Sequence, residues 1–240
     1  MFFINWSYII FMLPFYIFTL IASIMVKSRF RHYSSVHSSK GITGEEAARR
    51  VLDANGLYDV RIEKIAGELT DHYDPRSNVI RLSTSVFDST STAAIGVACH
   101  EVGHAIQFNK GYLPIKIRNA IIPITNIGST LSMPLIILGI LLSTLGSGYA
   151  MIAYIGVILF GLCVLFQLVT LPVEFNASKR SISSLKEMSI LSSDELVGAK
   201  KVLSAAALTY VAALAASIGQ LLYLIRLVGL INRDLMGGKL

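Results

Sequence analysis

Two histidines stand four positions apart in VACHEVGHAIQ (97–107), and a glutamate follows the first of them directly. In a helix, His100 and His104 lie on one face and can direct two ring nitrogens at the same point. Imidazole nitrogens are good zinc ligands. Glu101 would lie beside that face, close enough to act as a base on a water at the metal without ligating it. The spacing therefore predicts a zinc site in a hydrolase, with satisfied core histidines as the alternative.

A catalytic zinc ion needs three protein ligands and one open position, so a third ligand must come from elsewhere. His32 and His37 lie in the linker YSSVHSSKG (33–41) or directly before it, and His72 lies in a predicted turn. Glu174, in TLPVEFNASKRSI (170–182), follows an apolar stretch on the side where the zinc helix is expected. We expect Glu174 to be the third ligand; a solvated glutamate at the membrane surface is the alternative.

Other residues near these positions could support the site. Asn176 and Ser178 are candidates for hydrogen bonds that orient the ligands. Pro172 is expected to start a new helical segment or to kink the preceding one, with Thr170 as a possible cap. Gly103 is expected to leave room above the metal face for a substrate chain.

The motif helix has signals at both ends. Ser89, Thr90 or Ser91 can cap its start, and Gly111 is a plausible stop.

The segment before the motif predicts a small α+β unit. TGEEAARRVLDANGL (43–57) reads as a helix that Thr43 caps, with Glu46 three residues later. YDVRIEKIAG (58–67) and SNVIRLSTSVF (77–87) alternate as strands do, and DHYDPRSN (71–78) reads as the turn between them. The second strand is expected either to lie along the cleft and pair with an extended substrate or merely to complete the sheet. His72, Tyr73 and Tyr210 are candidates for stabilising an oxyanion.

The composition indicates a membrane protein. Apolar residues make up 53% of the 240 residues, charged residues 15%, and the mean hydropathy is +0.62. Four stretches are close to the length that spans a bilayer. They are NWSYIIFMLPFYIFTLIASIMV (5–26), AIIPITNIGSTLSMPLIILGILLSTLG (120–146), YAMIAYIGVILFGLCVLFQLVTL (149–171) and AAALTYVAALAASIGQLLYLIRLVGLI (205–231). The first has no basic residue before it and no clear cleavage site, so we interpret it as an anchor rather than a signal peptide.

The charge distribution predicts an orientation. The net charge is +6, and many basic residues lie just outside the apolar stretches, which fits the positive-inside rule better than a nucleic-acid surface. We expect residues 28–118 and 172–203 in the cytosol, and the N-terminus and the Gly-Ser-Gly turn outside. Cys99 and Cys163 are too few and too poorly placed for a disulfide framework and are read as small buried residues.

The predicted fold class is mostly α and membrane-embedded, with about four transmembrane helices and a small α+β, zincin-like cytosolic unit. The expected divisions are 1–27, an N-terminal anchor; 28–118, the cytosolic unit with the zinc helix; 119–171, a transmembrane hairpin; 172–203, a cytosolic helical segment with the third ligand; and 204–240, a last transmembrane helix and tail.

Four strings in this order resemble one family over essentially the whole chain: LTDHYDP, ACHEVGHAIQ, LPVEFNASKR and KKVLSAAALTYVAAL. The family is that of the YugP-type neutral zinc metallopeptidases of bacterial membranes. The resemblance implies one zinc ion bound by His100 and His104, Glu101 as catalytic base and Glu174 as third ligand. It also implies a multi-pass protein of the bacterial cell membrane that cleaves polypeptides. Because the cleft should open at the bilayer surface, membrane or membrane-adjacent polypeptides are the expected substrates. The chain departs from the usual pattern at Asn176, where relatives often carry aspartate, and at Phe108-Asn109, where they often carry His-Ala.

Two other functions compete with this one. An intramembrane protease would place the motif inside a span and draw an aspartate from a later span, but none of the apolar stretches after the motif contains an aspartate, and Asp234 lies in a short tail. A non-catalytic membrane scaffold would hold zinc in a closed site of four ligands, and no fourth ligand is evident.

Overall fold

The computed structural model describes residues 6–237 of the chain. Within them lie seven α-helices, three strands and a short 3₁₀ turn at Ser147–Tyr149. The helices are α1 (Trp6–Ser34), α2 (Gly44–Ala54), α3 (Thr84–Phe87), α4 (Thr92–Asn109), α5 (Leu113–Ser143), α6 (Ala150–Glu187) and α7 (Ser193–Gly237). The strands are β1 (Arg61–Ile65), β2 (His72–Asp74) and β3 (Val79–Ser83). The fold is therefore mostly helical, as the composition predicted.

Helices α1, α5, α6 and α7 are long and apolar enough to cross a membrane. They include most of each apolar stretch, so the prediction of four spanning helices is confirmed at the level of length and composition. Pro172 does not start a new helical segment, because α6 runs unbroken from Ala150 to Glu187. The alternative expectation, a kink at Pro172, stays a prediction. A proline is tolerated inside such helices when neighbouring groups or water satisfy the backbone carbonyl it leaves unpaired. Thr170 does not cap a new segment; its hydroxyl donates to the Phe166 carbonyl of the same helix (2.8 Å).

The chain packs as two compact units. One comprises the described parts of residues 1–20, 117–170 and 210–240; the other comprises residues 21–116 and 171–209. In the first unit, α5 and α6 approach closely where α6 carries a glycine: a Cβ on Gly156 would lie 2.7 Å from the Ser132 carbonyl oxygen. Its buried cluster joins α5, α6 and α7 and consists of Ile136, Ala153, Val157, Leu224 and Val228.

The second unit contains a three-stranded sheet with the order β1-β3-β2. Strand β3 is central: it pairs in parallel with β1 and antiparallel with β2. Its Val79, Ile80 and Leu82 are completely buried, which explains why an apolar VIRLS segment occupies the middle.

The segment DHYDPRSN was predicted to be a turn throughout. The structure corrects this prediction, because residues His72–Asp74 form β2. The hairpin that joins β2 to β3 is held by Asp74, which accepts hydrogen bonds from the Arg76 amide (3.0 Å) and the Ser77 hydroxyl (2.6 Å). The hydrogen bonds from Ser77 and Arg76 lower the pKa of Asp74 to about 2. Asn78 completes the turn at φ 54°, a conformation that asparagine tolerates. A strand of three residues among turn-forming residues gives little periodic signal, so the sequence pattern did not predict β2.

Helices α2 and α4 pack together beside this sheet. Both halves of the capping box predicted for α2 are present: the Glu46 amide donates to Thr43 Oγ1 (3.1 Å), and the Thr43 amide donates to the Glu46 carboxylate (2.9 Å). The cap of α4 is Ser91, whose Oγ accepts from the Ala94 amide (3.2 Å). The helix ends at Asn109, two residues before Gly111, which adopts φ +63°. The predicted limits of the motif helix are therefore confirmed.

Candidate metal centre

His100, His104 and Glu174 converge on one point in the second unit. His100 and His104 lie one turn apart on α4, and Glu174 comes from α6. One ligand atom from each lies within 4.8 Å of the others. The Oε2 atom of Glu174 is 3.2 Å from His100 Nε2 and 3.7 Å from His104 Nε2. The structure thus brings together the three side chains that the sequence proposed as ligands.

The close approach of α4 and α6 depends on Gly103. A Cβ at this position would lie 2.6 Å from the carbonyl oxygen of Ala177. Gly103 therefore lets the α6 backbone reach α4, and the expectation that it leaves room for a substrate chain is wrong. Glu174 lies one helical turn before Ala177, so this contact carries the carboxylate to the histidines.

The outer nitrogen of His104 is fixed by a buried amide. Gln107 is completely buried, and its Nε2 donates to the backbone carbonyl of Val173 (2.8 Å) and to Asn176 Oδ1 (3.0 Å). Because a backbone carbonyl can only accept, the Gln107 amide nitrogen must face Val173, and its Oε1 must face His104 Nδ1 (3.0 Å). This assigns the proton of neutral His104 to Nδ1, which leaves the Nε2 lone pair for a metal.

Asn176 extends this network to a charged group. Its Oδ1 accepts from Gln107 Nε2 and also from Arg180 Nε (2.7 Å). At position 176, where the family resemblance led us to expect a carboxylate, an amide oxygen therefore accepts both hydrogen bonds. The other departure, Phe108, packs its ring against Tyr73 with the ring centroids 5.6 Å apart.

The outer nitrogen of His100 also has a partner. Its Nδ1 lies 3.1 Å from the Ser178 hydroxyl on α6. Cys99, which directly precedes His100, is completely buried, and burial raises the pKa of its thiol. A neutral thiol is a poor metal ligand, so the interpretation of Cys99 as a small buried residue fits.

The donor set suits a zinc ion. Two imidazole nitrogens with hydrogen-bonded outer positions and one carboxylate oxygen match the ligands of catalytic zinc sites, where a fourth position stays open. Burial lowers the pKa of His104, but the hydrogen bond with Glu174 and the charges of Glu101 and Glu174 outweigh burial, so the pKa is raised overall. The same negative charges would favour a bound cation. The residues present therefore fit the metal.

Glu101 lies beside the cluster and is held by β2. Its side chain is mostly buried, with 8% of the residue exposed, and its Oε2 accepts a hydrogen bond from the Tyr73 amide (3.0 Å). Asp71 is a neighbour whose carboxylate accepts from the amide (2.7 Å) and hydroxyl (3.0 Å) of Ser83. Burial and the charge of Glu101 raise the pKa of Asp71. The hydrogen bonds from Ser83 lower it, but their effect is smaller, so the pKa is raised overall. Glu101 is therefore held by the backbone amide of Tyr73 and lies near a second carboxylate, that of Asp71.

The strand beside Glu101 is β2 and not β3. The expectation that residues 77–86 pair with a substrate is wrong, because β3 is bordered by β1 and β2. Strand β2 stands at the end of the sheet order, with the Tyr73 amide directed at Glu101.

The three candidates for stabilising an oxyanion have different surroundings. His72 is exposed, with Nδ1 2.9 Å from the Thr70 carbonyl oxygen, and the Tyr73 hydroxyl donates to Asn78 (2.9 Å). Tyr210 belongs to the first unit.

Sequence reasoning missed Gln107 and the amide of Tyr73. Gln107 had a usable signal, since it is a polar residue three positions after His104 in an apolar helix, where side chains three apart are neighbours. The Tyr73 amide had no such signal. Every residue except proline has a backbone amide, so a main-chain contact across 28 positions cannot be predicted from residue type.

Comparison with known proteins identifies the family of the chain. A family model described as "Putative neutral zinc metallopeptidase" matches residues 8–229. The "Putative membrane protease YugP" of Bacillus subtilis (strain 168) is 48% identical over 201 residues, which cover 84% of this chain and 87% of the relative. No solved structure matches the chain significantly. The chain belongs to the neutral zinc metallopeptidase family that this model defines.

Proposed function

We propose that this chain is an integral membrane zinc endopeptidase. It binds one zinc ion through His100, His104 and Glu174 and hydrolyses peptide bonds of membrane or membrane-adjacent polypeptides at the cytosolic membrane surface. The observation that carries the proposal is the convergence of three ligand atoms within 4.8 Å from two helices, with Glu101 beside them. Membership of the zinc metallopeptidase family supports it.

Glu101 acts as the general base and then as the general acid. A bound zinc ion would supply a water of lowered pKa, toward about 7, and would polarise the scissile carbonyl. Glu101 accepts a proton from the attacking water and delivers it to the nitrogen of the leaving amine as the C–N bond breaks. The Tyr73 amide holds Oε2 of this carboxylate, which leaves Oε1 for the proton transfer.

Ser178 and Gln107 keep the two imidazoles in position during the reaction. Each contacts the Nδ1 atom of one histidine, so both rings present Nε2 to the metal. An extended substrate would approach along β2, because this strand has one paired neighbour in the sheet and lies against α4.

Two features favour this function over its competitors. Helix α4, which carries the motif, is not one of the four candidate spans, and this supports a site at the membrane surface rather than within it. Among the described residues, the cluster offers three ligands and not the four of a closed structural site.

The test is the Glu101→Gln variant of the full-length protein, assayed on an unfolded casein-like substrate. Removing the base should lower the cleavage rate about 10²–10⁴-fold. Zinc content should stay at the wild-type level, because Glu101 does not ligate. Glu187→Gln is the matched control, since Glu187 is an exposed glutamate at the end of α6. Undiminished cleavage by Glu101→Gln would overturn the assignment of the base.

A further inference from the structure

A cavity of the second unit lies between α6 and α7 and has a volume of about 340 Å³. Phe175, Ser178, Lys179, Ile182 and Ser183 line it from α6, and Lys200, Leu203, Ser204 and Ala207 line it from α7. Both sets follow the spacing of one helix face. We call it the α6–α7 groove.

The groove has an apolar floor and a basic, hydroxyl-bearing rim. Leu203 and Ala207 are buried, whereas Lys179, Lys200 and Ser204 are exposed. The groove-lining residues include no carboxylate. Among the side chains that the structure describes, neither lysine forms an ion pair with an acidic group. The rim thus presents two positive charges that no carboxylate neutralises.

The groove also lies at the limit of two apolar stretches. On α6 its residues begin just after the stretch 149–171, and on α7 they end within the start of the stretch 205–231. Phe175, at the membrane-proximal end of the α6 face, is 50% exposed. A bilayer headgroup would lie where such stretches end, and an acyl chain would meet an exposed aromatic ring there.

We propose that the α6–α7 groove binds the phosphate group of an anionic phospholipid. Lys179 and Lys200 supply the charge, and Ser183 and Ser204 can donate hydrogen bonds to phosphate oxygens. Phe175 and Ala207 contact the start of the acyl chain. Basic pockets between membrane helices on the cytoplasmic side are known to recognise lipid headgroups in this manner. Ser178 borders both this groove and His100, so the lipid site adjoins the candidate metal centre.

The proposal is tested on the full-length protein in detergent micelles by native mass spectrometry, which counts bound lipids without any assay of cleavage. Phosphatidylglycerol is titrated against phosphatidylcholine, and inorganic phosphate is added separately as a competitor. The variant is Lys179→Gln/Lys200→Gln. The control is Lys186→Gln/Lys201→Gln, which removes two exposed lysines from the same helices outside the groove.

Wild-type protein and the control should retain phosphatidylglycerol in preference to phosphatidylcholine. The groove variant should bind phosphatidylglycerol roughly 30-fold more weakly, the effect expected for two lysines at a membrane surface. Ser204→Glu should also weaken binding, because it places a negative charge on the rim. Equal loss in variant and control, or unchanged binding in the variant, would overturn the proposal. Displacement by inorganic phosphate at the same affinity would show an ion site and overturn the assignment to lipid.

Discussion

Among the single residues of the candidate centre, His104 depends most clearly on a neighbour outside the ligand set. Gln107 accepts from its Nδ1 while its own amide nitrogen is held by Val173 and Asn176 on α6. The spacing of His100 and His104 was sufficient to predict that the two imidazoles share one face of α4, because helical periodicity fixes that face. The hydrogen bond from Gln107 to Asn176 could not be predicted, since it joins positions 69 apart in sequence.

We predict that Gln107→Leu lowers zinc affinity by about 10–100-fold, the usual effect of removing a partner that orients a ligand. The leucine fills the space but offers no acceptor to His104 Nδ1. Ser181→Ala is the matched control, because it removes a buried hydrogen bond between the same helices, to the Gly96 carbonyl (3.3 Å), without touching a ligand. Competitive titration with a zinc-binding dye gives both affinities. Wild-type affinity in Gln107→Leu would contradict the orienting role.

At the level of elements, the site is made by the packing of α4 on α6. Local signals predicted the limits of α4, with Gly111 as the stop, and narrowed its cap to Ser89, Thr90 or Ser91; the structure shows that Ser91 is the cap. The contact between Gly103 and the α6 backbone could not be predicted. A glycine permits close packing of any element, and the sequence does not identify α6 as the element that packs there. The order of the strands was concealed for a related reason: β2 has three residues and no periodicity.

We predict that Gly103→Ala separates α4 from α6 and weakens the metal site. The new Cβ would lie 2.6 Å from a backbone oxygen, which cannot move without its helix. The control is Gly161→Ala, a helical glycine of α6 with open space where its Cβ would lie. Thermal unfolding and zinc titration are measured for both variants. Gly103→Ala should lose melting temperature and zinc affinity, and Gly161→Ala should lose neither. Equal behaviour of the two would show that the close contact is unimportant.

At the scale of the whole molecule, the expected topology in the bilayer rests on four apolar helices and on the basic residues just outside the apolar stretches. Composition alone predicted the four helices, because a run of about 20 apolar residues has few other stable outcomes. The position of Glu174 after an apolar stretch and the family resemblance had both suggested that it joins the histidines, but its contact with His100 across 74 positions required the folded chain. The orientation remains a prediction from charge.

We predict that the second unit faces the cytosol. Tyr58 and Leu145 are 72% and 76% exposed, so a cysteine at either position should react readily. In intact cells, a membrane-impermeant maleimide should label Leu145→Cys and should label Tyr58→Cys only after the membrane is permeabilised. Wild-type protein, with Cys99 and Cys163, gives the background. The reverse labelling pattern would refute the orientation.

The central claim is that one zinc ion joins α4 to α6 through Glu174. The most direct measurement is the zinc content of purified full-length protein by elemental analysis, comparing wild type with Glu174→Ala and Glu187→Ala. We predict about one zinc ion per chain in wild type and in Glu187→Ala, which removes an exposed glutamate from the same helix, and strong depletion in Glu174→Ala. Full zinc content in Glu174→Ala would contradict the account.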